Sequence, residues 1–126
     1  MSYEIVFAKE VEDDLRKLGH VITQKVFKKL IQIAENPILG EDLGNKANMD
    51  LTGYRRVYID KKRVKIVYKI INEKLQVFVI AIGKRDDMNV YKTATLRSAE
   101  ITDNKWCTSK LWKFYNGAIF NEHRHR

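Results

Sequence analysis

The chain has 126 residues, 44% of them hydrophobic and 32% charged, with a net charge of +8. This fits a single domain with a modest core and argues against a disordered chain. Cys107 is the only cysteine, which rules out an intrachain disulfide, and no apolar run approaches the roughly 18 residues of a membrane span.

The start, Met1-Ser2-Tyr3-Glu4, lacks the basic and apolar regions of a secretory signal, so the cytoplasm is the expected compartment. A small basic domain commonly meets nucleic acid, an anionic membrane surface or an acidic protein. The first 100 residues show no long basic amphipathic helix, so no membrane partner is expected.

Tyr3 to Ala8 alternates around β-branched Ile5 and Val6 and predicts a short strand. Ala8, Val11, Leu15 and Leu18 then recur at helical spacing, with Glu12, Asp13 and Asp14 on the solvent side and Gly19 as the stop. Ile22, Val26, Leu30 and Ile33 form a second stripe, which should end near Asn36 because Pro37 disfavours helical geometry before it. These two helices form a hairpin. Gly40, Gly44, Asn45, Asn48 and Gly53 mark residues 37–53 as a long loop.

A meander follows. Tyr54 to Asp60 reads as a strand, Lys61-Lys62 as a turn and Arg63 to Ile71 as a second strand. Val64, Ile66, Tyr68 and Ile70 share one face of that strand, leaving Arg63, Lys65, Val67 and Lys69 on the other. One face takes the helices, so the Lys65 face is expected to be open or partly open. After a turn at Asn72-Glu73-Lys74, Leu75 to Ile82 is apolar apart from Gln76 and suits a central strand. Residues 88–100 suit a short helix. The expected class is α+β: an N-terminal strand and helical hairpin on an antiparallel β-meander in residues 1–100. Residues 101–126 form a C-terminal extension of unassigned role, crowded with Trp106, Trp112, Phe114, Tyr115 and Phe120.

The meander is strongly cationic. Arg55, Arg56, Lys61, Lys62, Arg63, Lys65 and Lys69 are opposed up to Lys69 only by Asp60. The apolar strand then runs into Gly83-Lys84-Arg85 and on to Val90-Tyr91. Metal-free RNA cleavage by the ribose 2′-OH requires a proton acceptor, cations for the crowded phosphorane and a proton source for the leaving oxygen. Arg56, Lys65 and Arg85 lie on adjacent strands or at a strand end and could converge on one phosphate, whose paired oxygens suit arginine's fork. Tyr91 is near enough to fold over the same face. A free tyrosine is a poor base near neutral pH, and adjacent cations are the usual means of favouring its phenolate. Arg55, Tyr58, Lys61, Lys62, Arg63 and Lys84 are candidates for holding flanking substrate.

The same seven basic residues also suit a solvated face that protects a sheet edge. Tyr58 and Tyr91 equally suit half-buried core positions. The residues alone favour a binding patch for an acidic partner over a catalytic centre. His20 stands alone, His123 and His125 sit at the terminus, and no Cys/His set has zinc spacing, so neither metal nor cofactor is expected. Cys107 has no histidine nearby in sequence and reads as inert.

The sequence resembles the RelE toxins of the RelE/ParE superfamily over roughly residues 2–98. The resemblance rests on the order of elements, Leu51-Thr52-Gly53-Tyr54-Arg55, Ile66-Val67-Tyr68, Val79-Ile80-Ala81-Ile82-Gly83-Lys84-Arg85 and Val90-Tyr91. It implies an mRNA interferase that cuts mRNA in the ribosomal A site without a metal. It also implies a cognate antitoxin that neutralises the toxin and, with it, binds operator DNA. The resemblance assigns transition-state stabilisation to Arg85, the base to Tyr91 and the third-strand cation to Lys65. The family's lysine pair falls on Arg56 and Tyr58, so Tyr58 departs from the pattern. The alternatives are a ParE-like DNA gyrase inhibitor, or a toxin-fold protein that has lost activity.

Overall fold

The computed structural model describes residues 3–8, 10–46, 49–86 and 89–98. The expected helix start at Met88 and the whole 101–126 extension lie outside these residues. In chain order, β1 (Glu4–Phe7) leads into α1 (Val11–Leu18) and α2 (His20–Glu35), then a 3-10 turn at Pro37–Leu39. Next come β2 (Glu41–Lys46), β3 (Met49–Ile59), β4 (Val64–Ile71) and, after a second 3-10 turn, β5 (Gln76–Lys84), followed by α3 (Asn89–Ser98). The fold is α+β. One five-stranded sheet has the order β1-β5-β4-β3-β2. Its pairs are antiparallel except for β1, which lies parallel to β5.

One expectation is corrected and two are refined. Residues 37–53 are largely a β-hairpin, not a loop. Gly44, Asn45 and Gly53 belong to a strand pair with a register shift between Asp42 and Gly44, and Gly44 takes a φ of 53° there. Buried Leu43 and Leu51 anchor the hairpin, and β3 begins at Met49, not Tyr54. The expected N-terminal strand joins the meander as a parallel edge on β5. The Lys65 face is only partly open, as expected: α3 covers its middle, where Lys65 has 0% exposure, while Arg63 stays exposed and Lys69 half-buried.

The helical hairpin packs on one face of the sheet. Val11, Leu15, Val26, Phe27, Leu30 and Ile33 meet Ile5, Phe7, Ile66, Tyr68, Val77 and Val79. Phe7 and Phe27 meet edge to face, with ring centroids 6.2 Å apart, an arrangement that adds about 0.5–1.5 kcal/mol beyond the burial itself. Acids in the first turn of α1 and Arg16 and Lys17 in its last turn complement the helix dipole. Gly19, at φ 93°, ends α1 and starts α2 in a left-handed conformation that side chains disfavour.

The opposite face holds a second core, in which Val90, Tyr91 and Ala94 of α3 pack on Leu51, Tyr54, Val67, Phe78, Ile80 and Ala81. The β4–β5 pair beneath α3 contains a bulge. Val67 pairs with Ala81 while Tyr68 pairs with Val79, so Ile80 is the extra residue on β5. Gly83 then faces Val90. A Cβ at Gly83 would sit 2.4 Å from Val90 Cγ2, so a side chain there would push α3 away.

Candidate active site

Four elements meet under α3. Arg56 and Tyr58 alternate on β3 and so share a face, and Lys65 on β4 is the register partner of Tyr58. Arg85 follows β5, its backbone N–H donating to the Arg63 carbonyl at 2.8 Å. Tyr91 projects from the first turns of α3 and is 1% exposed.

Arg56 Nη1 donates to Tyr91 Oη at 2.9 Å. The Lys65 ammonium lies 4.1 Å from the centre of the Tyr91 ring and donates to the Arg85 carbonyl at 3.0 Å. The Tyr58 ring carries the guanidinium of Arg56 at 4.6 Å and that of Arg85 at 5.7 Å from its centre. The site is thus a stack of cations and tyrosines, fixed from below by Lys65 and open toward Arg85, which is exposed.

Arg56 is 6% exposed. Burial works against its charge, but the hydrogen bond and charge of Tyr91, then Tyr58 and Glu41, outweigh it and raise the pKa above the ordinary arginine value. It therefore remains a cation inside the protein. Glu41, opposite Arg56 across β2–β3, places its carboxylate on Arg56 Nη2.

The family model described as "ParE toxin of type II toxin-antitoxin system, parDE" matches residues 5–89. The mRNA interferase toxin RelE of Escherichia coli (strain K12) is 35% identical over 100 residues, which cover 77% of this chain and 98% of that protein. The chain belongs to the RelE/ParE toxin family. A mutant of E. coli RelE solved in the free state superposes with a TM-score of 0.62 at 29% identity, covering 77% of this chain and 98% of that one. RelE in the intact E. coli RelBE toxin–antitoxin complex does so at 0.54 and 28%, covering 66% and 96%.

In this RelE/ParE chain, Arg56, Tyr58, Lys65, Arg85 and Tyr91 come together. Arg55 does not join them. It points to the opposite face, where its Nη1 donates to the Gly40 carbonyl at 2.7 Å and straps the 3-10 turn to β3. Lys61, Lys62 and Arg63 lie in the β3–β4 turn, where Asp60, Lys61 and Lys62 all take positive φ values of 53–68°. That turn divides two basic clefts. One, of about 560 Å³, includes Lys17, Lys84 and Arg85, and the other, of about 530 Å³, includes Lys25, Lys28, Lys29 and Tyr58. Lys84 and the turn cations therefore flank the site from the helical side.

Sequence reasoning missed Glu41, because its position opposite Arg56 depends on the hairpin that residues 37–53 turned out to form. The alternation of Leu43 and Leu51 about the glycines was the available signal.

Proposed function

We propose that this chain is the toxin of a type II toxin–antitoxin pair and a ribosome-dependent endoribonuclease that cleaves mRNA. The contact that carries the reading is Arg56 donating to Tyr91 Oη beside the Tyr58–Arg85 pair, in a chain 35% identical to an mRNA interferase. The ribose 2′-OH attacks the adjacent phosphorus and the P–O5′ bond breaks, leaving a 2′,3′-cyclic phosphate and a 5′-OH. Tyr91 Oη, buried against Arg56 in this structure, takes the 2′-OH proton once the first turn of α3 shifts to uncover it. Arg85, exposed at the strand end, neutralises the phosphorane charge. A guanidinium with a pKa above about 12 is a reluctant acid, so proton donation is its secondary role. Lys65 is a positioning residue whose ammonium holds the Tyr91 ring from below.

Tyr58 stands where the family pattern has a cation. It compensates by spacing Arg56 from Arg85, and when exposed Arg85 swings onto the phosphate it frees an aromatic face for a base, a contact worth about 1–3 kcal/mol in single-strand binders. The partners that follow are ribosome and mRNA on the cationic face, a cognate antitoxin, as in the E. coli RelBE complex, and operator DNA through the antitoxin complex.

The test is mRNA cleavage on programmed ribosomes. Arg85→Ala and Tyr91→Phe should each lose about 10²-fold or more, the usual effect of removing one preorganised charge-stabilising group or one positioned base. No cleavage by the parent, or full activity in both variants, refutes the reading. Inhibition of gyrase supercoiling without RNA cutting would favour the ParE-like alternative.

A further inference from the structure

Arg56 has three groups of donors, used unequally. Nη1 is committed to Tyr91 Oη, itself buried. Nη2 is held by Glu41, whose side chain is 66% exposed and free to swing into solvent. Nε is buried, and among the described residues nothing accepts its hydrogen. Nε–H and Nη2–H lie on the same edge of a guanidinium, the edge that grips two oxygens of a phosphate side by side. A buried donor without an acceptor costs about 1–3 kcal/mol. An edge with one displaceable carboxylate and one unused donor is therefore half filled.

We propose that Glu41 is an internal stand-in for phosphate. In the free protein its carboxylate occupies half of the Arg56 fork. An RNA phosphodiester displaces it and takes both Nη2–H and Nε–H. Glu41 thereby sets a threshold for occupancy. A ligand that offers only one acceptor gains little over the carboxylate already present, whereas a phosphodiester's two free oxygens also satisfy Nε. This discriminates against single-acceptor anions such as halides crowding a +8 protein. The proposal rests on the reading above that the site takes RNA.

The test measures binding of a short RNA with a single 2′-deoxy substitution at the scissile position, which cannot be cut, by fluorescence anisotropy. Glu41→Gln should bind about two- to fivefold more tightly, the scale of one partly exposed ion pair. Asp42→Asn, the same change in net charge one residue away, should not. In an Arg56→Ala background the Glu41→Gln gain should vanish. The proposal falls if Glu41→Gln binds equally or more weakly, if Asp42→Asn gives the same gain, or if the gain survives Arg56→Ala. In each case, weaker binding by Arg56→Ala alone would leave the RNA-cleaving reading standing. If the parent binds RNA no better than Arg56→Ala, the phosphate-exchange proposal falls, and the ribosome cleavage assay decides the other reading on its own.

Discussion

Gly83→Ala tests whether the site depends on the seating of α3. The added Cβ would meet Val90 Cγ2 at 2.4 Å, against about 3.5–4.0 Å for a favourable carbon pair. Val90 is β-branched and stiff at χ1, so it cannot rotate the methyl away cheaply. The first turn of α3 must therefore withdraw by about 1 Å or more. Overpacking of this kind costs about 1–3 kcal/mol, or roughly a 4–12 °C fall in Tm at about 4 °C per kcal/mol. Tyr91 is the next residue, and its hydroxyl receives the Arg56 hydrogen bond at 2.9 Å. A 1 Å displacement breaks that bond, and misplacement on this scale can cost about 10²-fold in rate. The assay is ribosome-programmed cleavage with a parallel melting curve. Val90→Ala removes the offending methyl and should restore most of the cleavage in the Gly83→Ala background, although it sacrifices some packing. Unchanged cleavage and Tm in Gly83→Ala, or no rescue by Val90→Ala, would refute the reasoning.

Other residues give separate tests. Lys65→Met removes a fully buried ammonium; its stability change should stay within about 2 kcal/mol, because replacing a buried charge with an apolar chain is often neutral, while cleavage falls at least tenfold. Cleavage within threefold of the parent would remove Lys65 from the machinery. Tyr68→Phe deletes a hydroxyl that donates to the Pro37 carbonyl at 2.6 Å and accepts from Gly40 N–H at 2.9 Å, and urea titration should show a loss of about 1–3 kcal/mol. Burial, partly offset by the Gly40 hydrogen bond and Arg55, raises the Tyr68 pKa. The parent's advantage over Tyr68→Phe should therefore hold below the ordinary tyrosine value and fade as pH climbs through the raised one; an advantage unchanged in strong base would contradict this. The Lys25 hydrogen bond at 2.6 Å holds the Asp60 carboxyl below the usual aspartate value. The parent's stability advantage over Lys25→Met should then be present above the ordinary aspartate value and lost as pH falls through the lowered one, and a difference independent of pH would count against the pair.

The sequence made the α-helical face legible because its stripes repeat at helical spacing and end at Gly19 and Pro37. The β4 faces were also legible, since Val64, Ile66 and Tyr68 do share the helix-facing core while Lys65 and Val67 turn away. Three features were hidden for different reasons. The β2–β3 hairpin carries turn residues that composition alone reads as loop, and its strand character comes from cross-strand pairing. The burial of Lys65 depends on where α3 lands, which the missing side chain at Gly83 permits. Arg55 and Arg56 are adjacent in sequence but serve opposite faces, so a count of basic residues could not separate a backbone strap from a site cation. The convergence of Arg56, Lys65, Arg85 and Tyr91 was expected. Their mutual order, with Lys65 beneath the ring and Arg56 on the hydroxyl, became visible only in the structure.

The parallel pairing of β1 with β5 bears on how the protein is born. Gln76 donates to Glu4 across 72 positions of chain, and among the described residues β1 has no other strand neighbour in the sheet. The first strand made must wait for nearly the last, and contacts this distant in sequence are slow to form. During synthesis β1, α1 and α2 emerge early with no sheet edge to close on. Nascent chains halted before Gln76 should remain open to protease, and chains extended past Ser98 should resist it; resistance in both would show that the early elements fold alone. The cationic site also needs α3 after β5, so the cell meets a competent toxin only when translation of this domain is all but finished.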